Sequence, residues 1–297
     1  IEKELRAAEL VTANKELLYQ FNEKEKRAAE LIVANKELAF QNEEKARKEE
    51  ELMIANKELQ SFNYISSHDL QEPLRKIQIF AHRILEKENQ NLSETGKDYF
   101  GRMQVSANRM QKLIEDLLAF SRLATADRKF ENTDLQTIVA EVKADLKELI
   151  DEKHAIIETG AHCSASVIKF QFHQLICNLI SNSLKFSKPK KPPHIVINNS
   201  IVKGNKLNQQ NQALNNQLSP EKEYCHISIS DDGIGFEEQY NKRIFEVFQR
   251  LHTEKEYKGT GIGLAIVKKI VENHHGIITA NSIKNNGATF DIYLPVN

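Results

Sequence analysis

Residues 226–235 read His-Ile-Ser-Ile-Ser-Asp-Asp-Gly-Ile-Gly and indicate the fold of the second half of the chain. Apolar and polar residues alternate up to Ser230, as in a strand with one buried face. Asp231 then ends the strand, and Gly233 and Gly235 let the backbone approach a ligand closely. A glycine pair after a strand is also a common turn, so this stretch alone is weak evidence for a binding site.

A second glycine-rich stretch, Gly259-Thr260-Gly261-Ile262-Gly263-Leu264, stands before a predicted helix from about Leu264 to Glu272. Flexible glycines ahead of a helix N-terminus present backbone N–H donors to phosphate oxygens. The stretch has neither the G-x-x-x-x-G-K-[ST] spacing of a P-loop nor the strand-helix context of a dinucleotide-binding fold. The chain also has no H-R-D or D-F-G motif, so these three nucleotide-binding classes are excluded.

Upstream, one face of a predicted helix carries polar side chains at helical spacing: Gln174, Asn178, Asn182 and Lys185. An asparagine amide oxygen can coordinate a Mg²⁺ ion that bridges phosphates, and a lysine one turn away can neutralise phosphate charge. A plain solvated face would show the same spacing. The helix by itself therefore leaves both interpretations open.

Helical patterns and strand-like runs alternate after the polar stretch 124–132, as at residues 194–201 and 224–230. The Asn/Gln-rich residues 203–221 between those two runs are expected to form a mobile loop with no chemistry. The pair His274-His275 before Gly276 lies at a predicted helix-to-strand turn. With no third ligand nearby, it predicts a helix cap rather than a metal site.

A histidine in the first half, His68, lies in the stretch Ser-Ser-His-Asp-Leu-Gln-Glu-Pro at 66–73. On a helical wheel it points away from the apolar face of its helix, toward solvent. Such a histidine is usually a plain surface residue, but Asp69 can accept a hydrogen bond from one imidazole nitrogen and make the other more nucleophilic. Pro73 removes a backbone hydrogen bond at this turn and is expected to weaken and bend the helix.

The helix of His68 is the first of two amphipathic helices, separated by a polar turn at residues 89–96. A helical hairpin of this kind cannot bury its apolar faces alone, so two copies are expected to pair as a four-helix bundle. The apolar stripes are Phe62, Ile65, Leu70, Leu74, Ile77, Ala81 and Ile84 on the first helix and Tyr99, Met103, Met110, Leu113 and Leu117 on the second.

The N-terminal residues repeat the pentapeptide Ala-Asn-Lys-Glu-Leu at Ala13, Ala34 and Ala55, a period of three heptads. Asparagines at the a positions and two lysines at d weaken the seam, although asparagines also fix its register. A parallel dimeric coiled coil is predicted, and a single solvated charged helix is the alternative. Six leucines share position d: Leu10, Leu17, Leu31, Leu38, Leu52 and Leu59.

Composition narrows the class of protein without naming a partner. The formal net charge is −1, so no overall field favours nucleic acid or an acidic membrane. Cys163, Cys177 and Cys225 show no disulfide or zinc spacing and are expected to be reduced. No apolar run approaches the ~20 residues of a membrane helix. We expect a cytoplasmic fragment that starts in mid-pattern at Ile1, whose sensing or membrane-anchoring part lies upstream.

Five features occur in order: the histidine hairpin, the polar helix, Asp-x-Gly-x-Gly at 231–235, the aromatic pair Phe245 and Phe248, and Gly-x-Gly-x-Gly at 259–263. In this order the sequence resembles the sensor histidine kinases of two-component systems, from about Lys57 to the C-terminus. The resemblance implies an α+β chain, with a dimeric phosphotransfer bundle followed by an α/β sandwich of the Bergerat fold, shared with Hsp90, gyrase and MutL ATPases. It also implies ATP-dependent phosphorylation of His68, with Mg²⁺, and transfer to an aspartate of a response regulator receiver domain.

The resemblance also implies a role for each matching residue. Asn182 would hold Mg²⁺, Asn178 and Lys185 would contact phosphates, Phe186 would lie against the nucleotide, and Asp231 would bind adenine. The remaining cofactor-binding residues would shape the pocket and its lid: Gly233, Gly235, Gly259, Gly261, Gly263 and Leu264.

Two positions depart from the family pattern. Many relatives carry Thr or Asn four positions after the histidine, where it positions a water for phosphatase activity, and this chain has Glu72 there. Phosphatase activity by that route is therefore in doubt. Asp232 stands where asparagine is frequent, and this change is expected to leave adenine binding to Asp231 intact.

The expected division of the chain is a coiled-coil signalling helix at 1–56, the histidine hairpin at 57–123, a linker at 124–132 and the catalytic ATP-binding domain at 133–297. The linker would let the ATP-binding domain swing toward His68. Two other functions fit the same residues. One is a dimeric scaffold that keeps the fold without turnover, and the other is an ATPase of the Hsp90 or gyrase type that uses the hairpin only to dimerise.

Overall fold

The structure is a computed structural model that describes residues 2–123, 129–160, 164–189, 191–211, 214, 217–251 and 259–296. Side chains are described in these ranges except at 2–13, 56–57, 59–68 and 210. The chain forms two compact units, residues 1–62 and 63–297. None of the described helices is both long and apolar enough to cross a membrane.

The first unit is helical throughout its described part and belongs to the helix α1 (Glu2–Lys87). Exposed charged pairs four residues apart lie along it, such as Arg27 with Glu23 and Lys48 with Glu44. Four of the leucines expected at position d are 56 to 70% exposed in the single chain. They are Leu17, Leu31, Leu38 and Leu52.

The second unit begins with the predicted hairpin, formed by α1 and α2 (Glu94–Arg122). Ser93 caps α2, because its Oγ accepts the Gly96 N–H at 3.1 Å. The two helices are joined by Gln78 of α1, whose Nε2 donates to Asn108 Oδ1 and Gln111 Oε1 of α2 at 2.8 Å, and Leu74, Ala81 and Ala107 of the hairpin are buried. The helix α1 continues through Pro73, so the proline does not end it.

The α/β domain has a five-stranded sheet in the order β2-β4-β5-β7-β6, in which β2 and β4 are parallel and the other pairs antiparallel. A two-stranded antiparallel ribbon, β1-β3, lies apart from it. The strands are β1 (Glu131–Asp134), β2 (Ile156–Thr159), β3 (Ser164–Val167), β4 (His194–Lys203), β5 (Glu223–Asp231), β6 (Ile277–Ser282) and β7 (Ala288–Pro295). The helices are α3 (Leu135–Asp145), α4 (Lys147–Lys153), α5 (Lys169–Lys185), α6 (Gly204–Gln210) and α7 (Gly263–Asn273).

One face of this sheet packs against helices and forms the main core, which confirms the predicted α/β sandwich. Alternation along the strands sends every second side chain to this core. On β5 these are Cys225, Ile227 and Ile229, which lie in one buried cluster with Leu179 of α5 and Ile266 of α7. The sheet thereby fixes the positions of α5, α7 and the end of β5.

His274 joins the end of α7 to the start of α5 through hydrogen bonds, and it caps α7 as predicted. The residue is 3% exposed and follows the last turn of α7. Its Nε2 accepts the Ile168 N–H at 2.9 Å, so Nδ1 carries the proton and donates to the Ile270 carbonyl at 2.7 Å. Both ring nitrogens are thus used within the fold.

The prediction of a mobile loop at 203–221 is wrong for the described part of that stretch. Residues 204–210 form α6, and Leu207, Leu214 and Leu218 are each at most 2% exposed. These leucines pack with Tyr224 and Tyr293 in a second cluster, on the sheet face opposite the main core. The three leucines are scattered among Asn and Gln, and only the sheet supplies the apolar surface that makes their burial favourable.

Candidate active site

A cavity of about 490 Å³ lies among α5, the end of β5 and the second glycine-rich stretch. It collects most of the residues singled out by sequence: Asn178, Asn182, Lys185, Phe186, Asp231, Gly235, Gly259, Gly261, Gly263 and Leu264. Gly233 does not line it but donates its backbone N–H to Asp231 Oδ1 at 2.9 Å. The three separate sequence stretches therefore meet at one place.

Asp231 is held at the end of β5 by donors on three sides. Its Oδ1 accepts the Gly233 N–H at 2.9 Å and the Ala288 N–H at 3.3 Å. Its Oδ2 lies 3.0 Å from the Ser183 hydroxyl, whose single proton can also reach the Leu179 carbonyl at 3.1 Å. Burial raises the pKa of the carboxyl, although these hydrogen bonds oppose the shift. Two backbone donors thus fix Oδ1 of the side chain, whereas Oδ2 has the Ser183 hydroxyl as its hydrogen-bond partner.

Asp232, the next residue, has a different role. Its Oδ1 accepts the His194 N–H at 3.0 Å, and its Oδ2 pairs with Lys191. Burial acts to raise the pKa of Asp232, but Lys191 and the His194 N–H together lower it. Asp232 joins the start of β4 to the end of β5 and does not line the cavity.

The polar face of α5 supplies a donor and a cation to the cavity. Asn178 Nδ2 is buried, and no described group accepts its hydrogen bond. Lys185 Nζ lies 4.4 Å from the centre of the Phe186 ring, over its face. Burial lowers the pKa of Lys185, with a smaller effect from the charge of Arg250. An anionic ligand would supply the charge and acceptors that this face lacks.

Two of the predicted glycines have a positive φ, which L side chains rarely adopt. Gly235 has a φ of +56°, and a Cβ there would lie 2.2 Å from the Ile283 carbonyl oxygen. Gly261 has a φ of +78°, and its Cβ would lie 2.9 Å from the Gln249 oxygen. Gly263 differs, because the nearest atom to a Cβ at the start of α7 is Asn178 Oδ1 at 3.7 Å. Gly263 leaves room inside the cavity rather than relieving strain.

Sequence reasoning missed Gly287, which stands in the turn just before β7 and packs closely against the backbone of Asp231. Its φ is +83°, and a Cβ would lie 1.8 Å from the Asp231 carbonyl oxygen. The signal was present, since Asn286-Gly287 between two strand-like runs is a typical hairpin turn. Sequence reasoning also missed Lys112 and Asp116 of α2, which line the cavity from the hairpin. No local pattern connects them to the glycine stretches.

The histidine region lies on α1, and none of its described residues lines the cavity. The backbone at His68 is helical, and its side chain lies outside the described residues. Asp69 is exposed. The pKa of Glu72 lies below its usual value because Lys76, at 3.2 Å, and Arg75, at 3.5 Å, favour the carboxylate. An ionised Glu72 is an acceptor only.

Two family models match the chain in sequence order. Residues 58–126 match the His Kinase A (phospho-acceptor) domain, and residues 168–297 match the histidine kinase-, DNA gyrase B- and HSP90-like ATPase. Among curated proteins, the phytochrome-like protein Cph1 of Synechocystis sp. is 35% identical over 237 residues, which are 80% of this chain and 29% of that protein. The sensor-like histidine kinase SenX3 of Mycobacterium tuberculosis is 28% identical over 235 residues, 77% of this chain and 52% of that protein.

Solved structures share the fold. Full-length ShkA in complex with AMPPNP aligns with a TM-score of 0.54 and 22% identity, over 78% of this chain and 45% of that chain. The Acinetobacter baumannii histidine kinase AdeS aligns with a TM-score of 0.52 and 18% identity, over 77% of this chain and 98% of that one. The chain spans less than a third of the length of the first curated relatives it matches, at 28 to 29%. A phospho-acceptor domain followed by an ATPase domain, with sensor kinases among the relatives, shows that this chain belongs to the two-component sensor histidine kinases.

Proposed function

We propose that the chain uses ATP to phosphorylate its own His68 and passes that phosphoryl group to an aspartate of a response regulator receiver domain. The observation that carries the proposal is the cavity that collects Asp231, Lys185, Asn178 and the glycine stretch before α7. It offers a buried acceptor together with cationic and N–H donor groups. These are the groups that an adenine base and a phosphate chain require.

Asp231 would bind the base through Oδ2. The two backbone N–H groups on Oδ1 fix the carboxylate, so that Oδ2 can accept the exocyclic amino group of adenine while Ser183 donates to the same oxygen. Lys185 would lie along the phosphates, which would return its lowered pKa toward the usual range. The backbone N–H groups at the start of α7 would bind phosphate oxygens.

Asn182 fits the predicted role in holding Mg²⁺. Its side chain lines the cavity between Asn178 and Lys185 on the same helix face. Among the described residues, no three His, Cys, Asp or Glu side chains form a metal-binding cluster. One amide oxygen suits Mg²⁺, which commonly keeps waters and binds substrate phosphates instead of a full protein cage. When bound, the ion would offset charge on the phosphates.

In the phosphoryl step, the lone pair of neutral His68 would attack the γ-phosphorus in line with the bond to the β-phosphate oxygen. The P–N bond forms, the P–O bond breaks and ADP leaves. Asp69 would hold the N–H of the other ring nitrogen and take up its proton as the ring gains positive charge. Positioning by the two domains supplies most of the catalysis.

The proposed active form is a homodimer. On the hairpin, Ile77, Tyr99, Met103 and Met110 are 43 to 62% exposed in the single chain. A second hairpin would bury these side chains in a four-helix bundle, and the exposed leucines of the first unit would form a parallel coiled coil. We propose that the coiled coil spans residues 1–56, the hairpin 57–123, the linker 124–132 and the ATP-binding domain 133–297.

The decisive experiment incubates the chain with γ-labelled ATP and compares wild type with His68→Gln. The matched control is His82→Gln, because His82 lies on the same helix and its side chain is 62% exposed. We expect acid-labile, base-stable label in wild type and in the control and none in His68→Gln. Equal label in His68→Gln would refute the assignment of His68.

The labelling assay, together with a measurement of ATP hydrolysis and of nucleotide binding, separates the two alternatives. ATP hydrolysis without label on the protein would favour an ATPase that uses the hairpin only to dimerise. Absence of nucleotide binding in Mg²⁺ buffer would favour a scaffold without turnover.

A further inference from the structure

The C-terminal half of α2 is docked on the α/β domain, and this contact reaches the candidate nucleotide cavity. Leu113, Leu117 and Phe120 lie on one face of α2 and pack against the main core. Leu123 follows the last residue of α2, and its carbonyl accepts a hydrogen bond at 2.8 Å from Asn273, which ends α7 and is 3% exposed. Apolar packing and a buried hydrogen bond therefore hold hairpin and α/β domain together.

The same face of α2 carries a carboxylate into the cavity. Asp116 lies one turn after Leu113, is 17% exposed in its side chain and lines the cavity with Asn178 and Lys185. Its Oδ2 accepts the Thr260 hydroxyl at 2.6 Å. Thr260 stands between two glycines of the loop that precedes α7. A carboxylate of the hairpin is thus bonded to the loop expected to bind phosphate.

The carboxylate of Asp116 brings negative charge close to the N-terminus of α7, where a bound phosphate would also bring it. The Ile262 N–H, just before α7, points to Thr260 Oγ1 at 3.4 Å, so the carboxylate is one hydroxyl away from the helix N-terminus. Negative charge is favoured there by the exposed N–H groups and by the helix dipole. Lys112 Nζ lies 3.2 Å from Asp116 Oδ1, but its side chain is 64% exposed and its charge is screened by water.

We propose that Asp116 sets nucleotide affinity by acting as an internal competitor for the phosphate end of the cavity. While α2 is docked, its carboxylate repels a triphosphate and holds Thr260. Triphosphate binding and hairpin docking therefore oppose each other, and ATP favours release of the α/β domain from α2. This inference rests on the proposed ATP site.

Isothermal titration of the whole chain with ATP and with AMP, in Mg²⁺ buffer, tests the inference. Asp116→Asn keeps an oxygen that can accept the Thr260 proton and removes the charge. We expect it to bind ATP about tenfold more tightly than wild type, a usual size for coupling between sites, and AMP less than about twofold more tightly. A merely structural role would change both nucleotides alike.

Glu115→Gln is the matched control, since it removes a carboxylate from the neighbouring position of the same helix, outside the cavity lining. It should leave both affinities at the wild-type value. Asp116→Ser is a second charge-removing variant if Asp116→Asn does not fold. The inference is overturned if folded variants bind ATP no more tightly than wild type, or if ATP and AMP affinities rise equally. Failure of wild type to bind either nucleotide would instead overturn the proposed function.

Linkage supplies a second readout. If ATP and docking oppose each other, saturating ATP should speed amide hydrogen exchange in residues 113–123 of wild type, and Asp116→Asn should reduce the difference made by ATP. Slower exchange in this segment on addition of ATP to wild type would contradict the proposal.

Discussion

Asp231→Asn should weaken ATP binding while leaving the stability of the fold nearly unchanged. The hydrogen-bonding neighbours of the carboxylate fix the orientation that the amide group of the variant must adopt. Two backbone N–H groups, from Gly233 and Ala288, face Oδ1. The amide oxygen must take that position, since the NH₂ group would otherwise meet two donors. The NH₂ group then replaces Oδ2, and Ser183 can accept from it while giving its own proton to the Leu179 carbonyl at 3.1 Å.

The expected cost falls on ligand binding. The free energy of unfolding should change by less than about 1 kcal/mol, because every partner of the side chain keeps a hydrogen bond. The adenine amino group would face a donor in place of a charged acceptor. Loss of a hydrogen bond to a charged group costs about 1.5–3 kcal/mol, which corresponds to a decrease of about 10- to 140-fold in ATP affinity.

Isothermal titration with ATP and chemical denaturation measure the two quantities on the same variant. Asp232→Asn is the control, because that carboxylate is next in sequence but pairs with Lys191 and the His194 N–H outside the cavity lining. Its ATP affinity should stay within about twofold of wild type. Wild-type ATP affinity in folded Asp231→Asn would refute the role of Asp231 in binding adenine.

The raised pKa of Asp231 adds a pH dependence to the same comparison. A carboxyl whose pKa is higher in the folded state than its ordinary value of 3.8 costs stability once it is ionised. That cost is absent below pH 3.8 and is fully present above the folded-state pKa. Asp231→Asn should therefore gain stability relative to wild type as the pH rises from about 4 to neutrality, measured as a difference in unfolding midpoints. A difference independent of pH would contradict the raised pKa.

Three further predictions concern the fold and the dimer. Gly287→Ala should destabilise the chain by more than about 2 kcal/mol in denaturant unfolding, because Gly287 has a positive φ and its Cβ would lie 1.8 Å from the Asp231 carbonyl oxygen. Gly263→Ala is the control and should stay within about 1 kcal/mol of wild type. Leu214→Ala should cost about 2–5 kcal/mol in the same assay, since Leu214 is fully buried under the sheet; a mobile loop would show no loss. Met110→Glu should shift the chain toward monomer in sedimentation equilibrium, while an unchanged dimer would place the interface elsewhere.

The ordered sequence motifs predicted much of the site because each depends on local chemistry. Asp231 ends a strand whose alternation is visible in the sequence, and Asn178 and Lys185 share a helix face by spacing alone. The glycine stretch before α7 also lies where its pattern indicates. The 203–221 stretch was mispredicted because its three leucines are buried in a cluster that includes Tyr224 of β5 and Tyr293 of β7, and Tyr293 is far away in sequence.

By itself, the sequence determined the family, the helical hairpin, the α/β sandwich and many of the residues that line the cavity, because periodicity and motif order are local properties of the chain. Only the tertiary structure decided that Ser183 and Gly287 support Asp231, that Asp232 joins two strands, and that Asp116 of the hairpin reaches Thr260. The last contact joins residues 144 positions apart. Such contacts depend on how α2 packs against the α/β domain, and no local pattern in the chain encodes that packing.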